Sequence, residues 1–229
     1  MHFYYFALRQ SVRRAGHPWG LAALLGGAAV LALQAPMHAA PEKCPDGAAL
    51  EYQRRQAATY LNSVRSAPAE YGRRVGVALS GVTPAPQLRW NDRLSAVAQQ
   101  KAESLARNNF FSHQNLEGIG PNLQLIRAGY PLPDFYPRER DANSVESLAG
   151  GAPNAVEAVD QLIVDEGVPG AYHRVHLLAM DEFYREHTEV GVGIACNPAS
   201  VCLYYYVILT APSPASDTQI AGVRSFSRP

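Results

Sequence analysis

Two neighbouring runs of strand-like sequence near the C-terminus constrain the fold of this chain more than any other feature. Within the run over 188–196, apolar residues occupy alternate positions, namely Val190, Val192 and Ile194. The run over 201–209 is rich in β-branched and aromatic residues, and the turn-like segment 197–200 separates the two runs. Because this composition and alternation are typical of strands joined by a short turn, we predict a pair of antiparallel strands.

Amphipathic helices are predicted upstream of these strands. Apolar side chains recur at helical spacing over 48–67, and again over 91–106, which begins at an asparagine suited to capping. Shorter helices are predicted over 121–128, 153–166 and 172–179. The chain has 229 residues, 47% of them hydrophobic, which is enough for one domain with a substantial core. We therefore predict a single domain of the α/β class, of the α+β type.

The first forty residues have the composition of a targeting segment. Three arginines precede an apolar run over 21–33, and no acidic residue occurs in 1–40. This layout is typical of a signal peptide, and the small residues near Ala39 or Ala40 suit cleavage. An uncleaved membrane anchor over 19–35 is the alternative, although the apolar run is short for a bilayer.

The predicted organisation has four parts. Residues 1–40 form the signal peptide or anchor, 41–47 a linker, 48–210 the folded domain, and 211–229 a flexible C-terminal tail with little apolar content. We expect the domain to be exported, either secreted or periplasmic, and membrane-anchored if the leader is not cleaved. The chain after the leader has 17 basic and 20 acidic side chains, a formal charge of −3, which does not favour nucleic-acid binding.

All three cysteines lie after the leader. Cys196 and Cys202 flank the turn between the two predicted strands, and we predict a disulfide across this hairpin. Such a short loop would stabilise the fold by about 2 to 3 kcal/mol. Two buried thiols are the alternative, but export to an oxidising compartment favours the disulfide. This pairing leaves Cys44 without a partner.

Several polar residues that can bind metals or transfer protons lie at the ends of the predicted elements. His113 follows the helix over 91–106, and Glu146 precedes the helix over 153–166. Asp165 and Glu166 close that helix, and His173 opens the helix over 172–179. Two imidazoles and two carboxylates suit a divalent metal such as zinc, and they could equally serve as an acid and a base. Each residue also has a simpler explanation. His113 could interact with a helix dipole, and the acids could be solvated.

Two classes of hydrolase lack support in the sequence. His173 and His176 stand three residues apart without the His-Glu-x-x-His pattern of zinc proteases, and we expect His176 to be a packed or hydrogen-bonded helix residue. Ser112 and Ser147 do not have the spacing of a nucleophile elbow, so a serine hydrolase is not indicated.

Taken in order, several motifs resemble those of bacterial CAP (SCP-like) domains. The resemblance covers about 50–209. The matching segments are Tyr-Leu-Asn-Ser-Val-Arg at 60–65, Leu-Arg-Trp-Asn-Asp-Arg-Leu at 88–94, Asn-Phe-Phe-Ser-His at 109–113, Val-Glu-Ser-Leu-Ala-Gly at 145–150, Tyr-His-Arg-Val-His-Leu-Leu at 172–178 and Glu-Val-Gly-Val-Gly at 189–193. No single motif is decisive, but their shared order identifies the chain as a member of this family.

The resemblance implies a three-layer α-β-α sandwich with a central antiparallel sheet and a cleft holding two histidines and two acids. His113, Glu146 and His173 match three members of this tetrad, and alignment by the preceding helix favours Asp165 over Glu166 as the fourth. All four are therefore candidate metal ligands. Two positions depart from the family pattern. Ser147 replaces an asparagine after the glutamate, and the tryptophan usual on the helix over 153–166 is replaced near Leu162.

The family resemblance implies a non-enzymatic exported binding protein, because its members share no catalytic reaction. The ligand would be an unknown lipid, small molecule or protein, and we expect a monomer. A metal-dependent hydrolase that uses the same cleft is the alternative, with Glu189 or Glu166 available as a general base. A third possibility is that the tetrad is a hydrogen-bonded cluster that only fixes the structure of the cleft.

Overall fold

The computed structural model of the protein describes residues 43–214, so the predicted leader and most of the predicted tail lie outside it. Seven helices and four strands occur in this part of the chain. In order they are α1 (Gly47–Ser66), α2 (Pro68–Val75), β1 (Arg89–Trp90), α3 (Asp92–Asn108), α4 (Pro121–Arg127), β2 (Glu146–Gly150), α5 (Ala155–Val164), α6 (Tyr172–Leu177), α7 (Glu182–Arg185), β3 (Glu189–Cys196) and β4 (Tyr204–Ala211). None of the helices within these residues is both long enough and apolar enough to cross a bilayer.

The four strands form one sheet in the order β1-β3-β4-β2. The predicted hairpin is confirmed, because β3 and β4 are antiparallel neighbours that pair from Glu189 with Ala211 to Cys196 with Tyr204. Strand β2 pairs antiparallel with the other side of β4, so Glu146 lies opposite Leu209. Only the two-residue strand β1, at the far edge, runs parallel to its neighbour. The sheet is therefore essentially antiparallel, as expected.

Helices cover both faces of the sheet, which confirms the predicted α-β-α sandwich. Every residue of β4 is buried, and successive side chains point to opposite faces. Tyr206 and Ile208 pack in the core formed with α1 and α5, whereas Tyr205 and Val207 pack in the core formed with α3. A strand that is buried at every position is typical of a sheet with two covered faces.

Two glycines of β3 explain how closely α3 lies on the sheet. A Cβ atom at Gly191 would lie 2.3 Å from the backbone of Leu94, and one at Gly193 would lie 2.1 Å from the carbonyl oxygen of Ala98. Both contacts are too short for a side chain, so glycine is required for the helix backbone to rest on the strand. The Gly-Val-Gly alternation thus places small residues toward α3 and valines toward α1.

Helix boundaries follow local capping. As predicted, Asn91 caps α3 and accepts a hydrogen bond from the backbone N–H of Leu94. Asn109 ends the helix in a left-handed conformation. The helix predicted over 153–166 is shorter than expected at both ends. It begins at Ala155 because Asn154 is its N-cap, and it ends at Val164 because Asp165 turns left-handed with a φ of 50°.

The predicted disulfide between Cys196 and Cys202 is wrong, because Cys196 is bonded to Cys44 and Cys202 is a free thiol. Cys196 packs against the core on the α1 face, whereas Cys202 packs against the core on the α3 face. The two side chains therefore face opposite sides of the sheet. Cys44 precedes α1, and its Cα lies 5.6 Å from that of Cys196. The disulfide ties the start of the domain to the end of β3.

Candidate functional site

A cleft of about 230 Å³ lies where the start of β2 meets α6 and the loop after α3. Polar and aromatic side chains form much of its wall, among them His113, Glu146, Ser147, His173, His176 and Tyr184. Three of the four residues predicted as a site line this cleft, and the fourth, Asp165, is hydrogen-bonded to His173. The structure therefore brings the predicted tetrad together.

The first pair consists of His113 and Glu146. Nδ1 of His113 lies 2.9 Å from Oε1 of Glu146, whose side chain is 2% exposed, whereas the imidazole is 40% exposed. Glu146 is held at the start of β2 because its backbone N–H donates to Asn143, and the Asn143 amide donates back to the Glu146 carbonyl. The carboxylate is thus fixed in position behind the ring.

A buried lysine on α3 binds the loop that carries His113. Lys101 on α3 is 4% exposed and donates to the backbone carbonyls of His113 and Gln114 at 2.8 and 2.9 Å. Burial lowers the pKa of Lys101, and the nearby Glu146 carboxylate opposes this effect. The lysine fixes the loop and partly balances the charge of the buried acid.

The second pair consists of Asp165 and His173. Oδ1 of Asp165 lies 2.7 Å from Nδ1 of His173, and Oδ2 accepts from the backbone N–H of the same residue at 3.0 Å. Because Asp165 ends α5 in a left-handed conformation, its side chain reaches the first turn of α6. The prediction that Asp165, not Glu166, joins the tetrad agrees with this geometry, since Glu166 is exposed and does not line the cleft.

The two pairs face each other across the cleft. The ring centroids of His113 and His173 are 6.3 Å apart, and the ring planes are inclined by 35°. Each Nδ1 contacts a carboxylate, so Nε2 is the ring nitrogen left to meet a ligand. Within residues 43–214, no three His, Cys, Asp or Glu side chains are arranged to hold a metal ion together. In the structure each acid contacts the Nδ1 atom of one imidazole.

His176 lies beneath the cleft and is hydrogen-bonded on both ring nitrogens, as the packed-residue interpretation predicts. Its Nδ1 lies 2.8 Å from the hydroxyl oxygen of Ser147, and its Nε2 lies 2.6 Å from that of Thr210. Burial, with a smaller contribution from His187, holds the pKa of His176 well below its ordinary value. The ring is therefore neutral at physiological pH.

Glu189, one candidate general base, is engaged outside the cleft. Its carboxylate accepts from Asn91 at 2.5 Å, from Ser213 at 2.9 Å and from Arg89 at 3.0 Å. Burial tends to raise the pKa of Glu189, but these hydrogen bonds hold it below the usual value. Since neither Glu189 nor Glu166 lines the cleft, the hydrolase alternative loses both of its proposed bases.

The model of the cysteine-rich secretory protein family, CAP, matches residues 59–209 of the sequence. This chain belongs to the CAP family. The match spans α1 to β4 and includes both histidine and acid pairs, so the four cleft residues lie inside the CAP domain.

Several solved structures resemble this chain at low sequence identity. An extracellular protein containing a SCP domain from Bacillus anthracis has 16% identity and a TM-score of 0.47, over 75% of this chain and 45% of that one. An outer surface protein from Borrelia burgdorferi has 17% identity and a TM-score of 0.42, over 69% and 93%. The CAP domain of enterococcal PrgA has 16% identity and a TM-score of 0.42, over 74% and 64%. This chain thus spans less than half the length of the Bacillus anthracis protein.

A search of curated proteins found no match to this chain.

Sequence reasoning missed several residues that shape the cleft of this CAP domain. Asn143 was not predicted, although an asparagine three residues before a strand is a common turn-forming signal. Thr210 and His187, which continue the hydrogen bonds below His176, come from β4 and the segment before β3. No local pattern links these positions, because only the tertiary fold brings them together.

Proposed function

We propose that this CAP-domain protein is exported and acts as a binding module, with the cleft between His113 and His173 as its ligand site. The observation that carries the proposal is the pairing of each cleft imidazole with a buried carboxylate at Nδ1. This arrangement fixes the orientation of both rings and leaves their Nε2 atoms for a ligand. It is an arrangement suited to binding.

A divalent metal such as zinc fits this site through two ligands, the Nε2 atoms of His113 and His173. Metal-binding histidines commonly donate their other ring N–H to a carboxylate, which is the relation that Glu146 and Asp165 have to them. When bound, the ion would supply a positive centre with open positions for the lone pairs of a ligand. With only two imidazoles as protein ligands, we expect moderate affinity.

Two further features support export. The leader over 1–40 has the composition of a signal peptide. The disulfide between Cys44 and Cys196 favours an oxidising compartment, because cytosolic thiols are generally kept reduced. The membrane-anchored alternative depends on the leader alone.

Calorimetric titration with zinc at pH 7 and pH 5.5 tests the proposal. The wild type should bind, and binding should weaken at pH 5.5 because neutral imidazole is the required ligand. The double variant His113→Ala/His173→Ala should lose the binding, and the exposed-acid control Glu166→Gln should keep it. A folded wild-type protein that does not bind zinc would refute the metal site and direct the search to metal-free ligands.

A further inference from the structure

A row of five hydrogen-bonding side chains runs from the cleft into the interior of the domain. Ser147 Oγ lies 2.8 Å from Nδ1 of His176, and Nε2 of His176 lies 2.6 Å from Oγ1 of Thr210. The same Oγ1 lies 2.6 Å from Nδ1 of His187, whose Nε2 lies 2.7 Å from the hydroxyl of Tyr136. The row joins β2, α6, β4, the segment before β3 and the loop before β2 by four consecutive hydrogen bonds.

All five side chains are nearly inaccessible to solvent, and both imidazoles are neutral. Ser147, Thr210, His187 and Tyr136 are each 1% exposed, and His176 is 4% exposed. Burial lowers the pKa of His187 to about 3 and that of His176 well below its ordinary value. Each ring therefore carries one proton, as does each of the three hydroxyls.

The five groups carry five protons, but the row contains four hydrogen bonds, so one proton is not used within the row. It cannot belong to an imidazole, because both nitrogens of each ring are engaged within the row. The remaining proton therefore belongs to Tyr136, Thr210 or Ser147. Each of these three possibilities determines which group is the donor in all four hydrogen bonds.

Two of the three arrangements leave a buried hydroxyl proton unpaired. Within residues 43–214, the hydroxyls of Tyr136 and Thr210 have no hydrogen-bond partner outside the row. If either of these protons were the unused one, a buried hydroxyl would be desolvated without donating a hydrogen bond, which is unfavourable. Ser147 differs because it lines the cleft, where another molecule can accept the proton. In the favoured arrangement, each group therefore donates its proton to the next group in the direction from Tyr136 to Ser147.

We infer that Ser147 donates its hydroxyl proton to a carboxylate or phosphate oxygen of the molecule that occupies the cleft, an inference that rests on the proposed binding function. In this arrangement Nδ1 of His176 is protonated and donates to Ser147. The imidazole then cannot accept a proton from the serine. Ser147 is therefore a ligand-binding donor and not an activated nucleophile, although a histidine lies 2.8 Å away.

Two buried cations near the cleft offset the charges of the two buried acids. Lys101 lies close enough to Glu146 to interact with its charge. Arg65 is 1% exposed, lies within electrostatic range of His176 and donates to the carbonyls of Pro86 and Leu177. Its Nη2 has no hydrogen-bond partner among residues 43–214, so its positive charge is not balanced by a direct contact. A hydroxyl donor also bonds more strongly to a charged oxygen than to a neutral one.

Nitrogen NMR of the histidine rings tests the direction of the row. Long-range ¹H–¹⁵N spectra of the labelled, metal-free full chain at pH 7 distinguish the two tautomers of each ring. Both His176 and His187 should be protonated at Nδ1 and not at Nε2. The other two arrangements both protonate His176 at Nε2, so that finding would overturn the inference.

Titration of the same metal-free protein with acetate and, separately, with inorganic phosphate tests the role of Ser147. Chemical shifts of the cleft residues should report binding of at least one anion. Ser147→Ala should weaken that binding about tenfold or more, because it removes a hydrogen bond to a charged group. The matched control is Ser144→Ala, since Ser144 also lines the cleft but its hydroxyl contacts Asn122.

A variant at the buried end of the row tests whether the row controls the direction in which Ser147 donates its proton. Tyr136→Phe removes the proton that enters at the buried end, so it should shift His176 toward the Nε2 tautomer and weaken anion binding. The control is Tyr130→Phe, whose buried hydroxyl bonds to Pro212 outside the row. Unchanged anion affinity in Ser147→Ala, or no anion binding by the wild type, would overturn the inference. A failure of zinc binding would instead overturn the proposed metal site alone.

Discussion

The four tetrad residues divide into two that face the cleft and two that hold those residues in place. The side chains of His113 and His173 are 40% and 23% exposed, whereas those of Glu146 and Asp165 are both 2% exposed. The two imidazoles are therefore the members of the tetrad that a ligand in the cleft can reach, and the structural hypothesis is tested by substitution.

Replacing one buried acid tests this division at the level of a single residue. Glu146→Gln keeps the size of the side chain but removes the negative charge behind His113. We expect zinc affinity to fall about 10-fold to 100-fold while the far-UV circular dichroism spectrum is unchanged. Glu166→Gln, an exposed acid outside the cleft, should have no effect. Loss of folding in Glu146→Gln would support the structural role instead.

The buried histidines should make the domain sensitive to acid. Burial lowers the pKa of His187 from 6.5 to about 3, so the unfolded chain takes up a proton that the folded chain does not. Stability from this group is fully present above pH 6.5 and is lost at about 1.4 kcal/mol per pH unit as the pH falls toward 3. Urea unfolding between pH 6.5 and 4.5 measures the slope. His187→Gln should make it shallower, and an identical slope would contradict this explanation.

At the level of elements, the close contact between α3 and β3 places the loop with His113 beside the sheet. The glycines of β3 allow this contact, because a Cβ on either one would overlap the helix backbone. The sequence predicts the alternation in β3 but not the reason for the glycines, since period-two patterning identifies a face without revealing what packs on it.

Substitution of one glycine tests the requirement for close packing. Gly193→Ala would place a Cβ 2.1 Å from the carbonyl oxygen of Ala98, so the helix or the strand must move. We expect a loss of about 3 kcal/mol in the free energy of unfolding, measured by urea denaturation. Gly81→Ala is the matched control, because a Cβ there meets nothing within 4 Å. Equal stability of the two variants would show that the contact is less tight than described.

For the whole molecule, local pattern predicted most helices and the hairpin, and the resemblance to CAP domains indicated the chain positions of the tetrad. Capping residues such as Asn91 and Asn109 act on their neighbours, so their effects are visible in the sequence. Strand β2 was not predicted, because it is only five residues long and four of them are buried. The partner of Cys196 was also missed, since Cys44 lies 152 residues away and no local signal links them.

The long-range disulfide should contribute strongly to the stability of the whole domain. A loop of 152 residues gives a stabilisation of about 5 kcal/mol in the chain-entropy model, and native disulfides typically contribute about 2 to 5. Thermal unfolding should show a markedly lower midpoint for Cys44→Ser, and added reductant should lower the wild type similarly. Cys202→Ser, which removes a free thiol, should change the midpoint little. Equal midpoints for both variants would contradict the observed pairing.

A crystal structure of the protein with zinc bound tests the proposed binding site most directly. The account predicts one zinc ion in the cleft, with Nε2 of His113 and of His173 at about 2.0 to 2.1 Å. Glu146 and Asp165 should remain hydrogen-bonded to the Nδ1 atoms of the two rings. Coordination of zinc by either carboxylate oxygen, or zinc only at positions outside the cleft, would contradict the account.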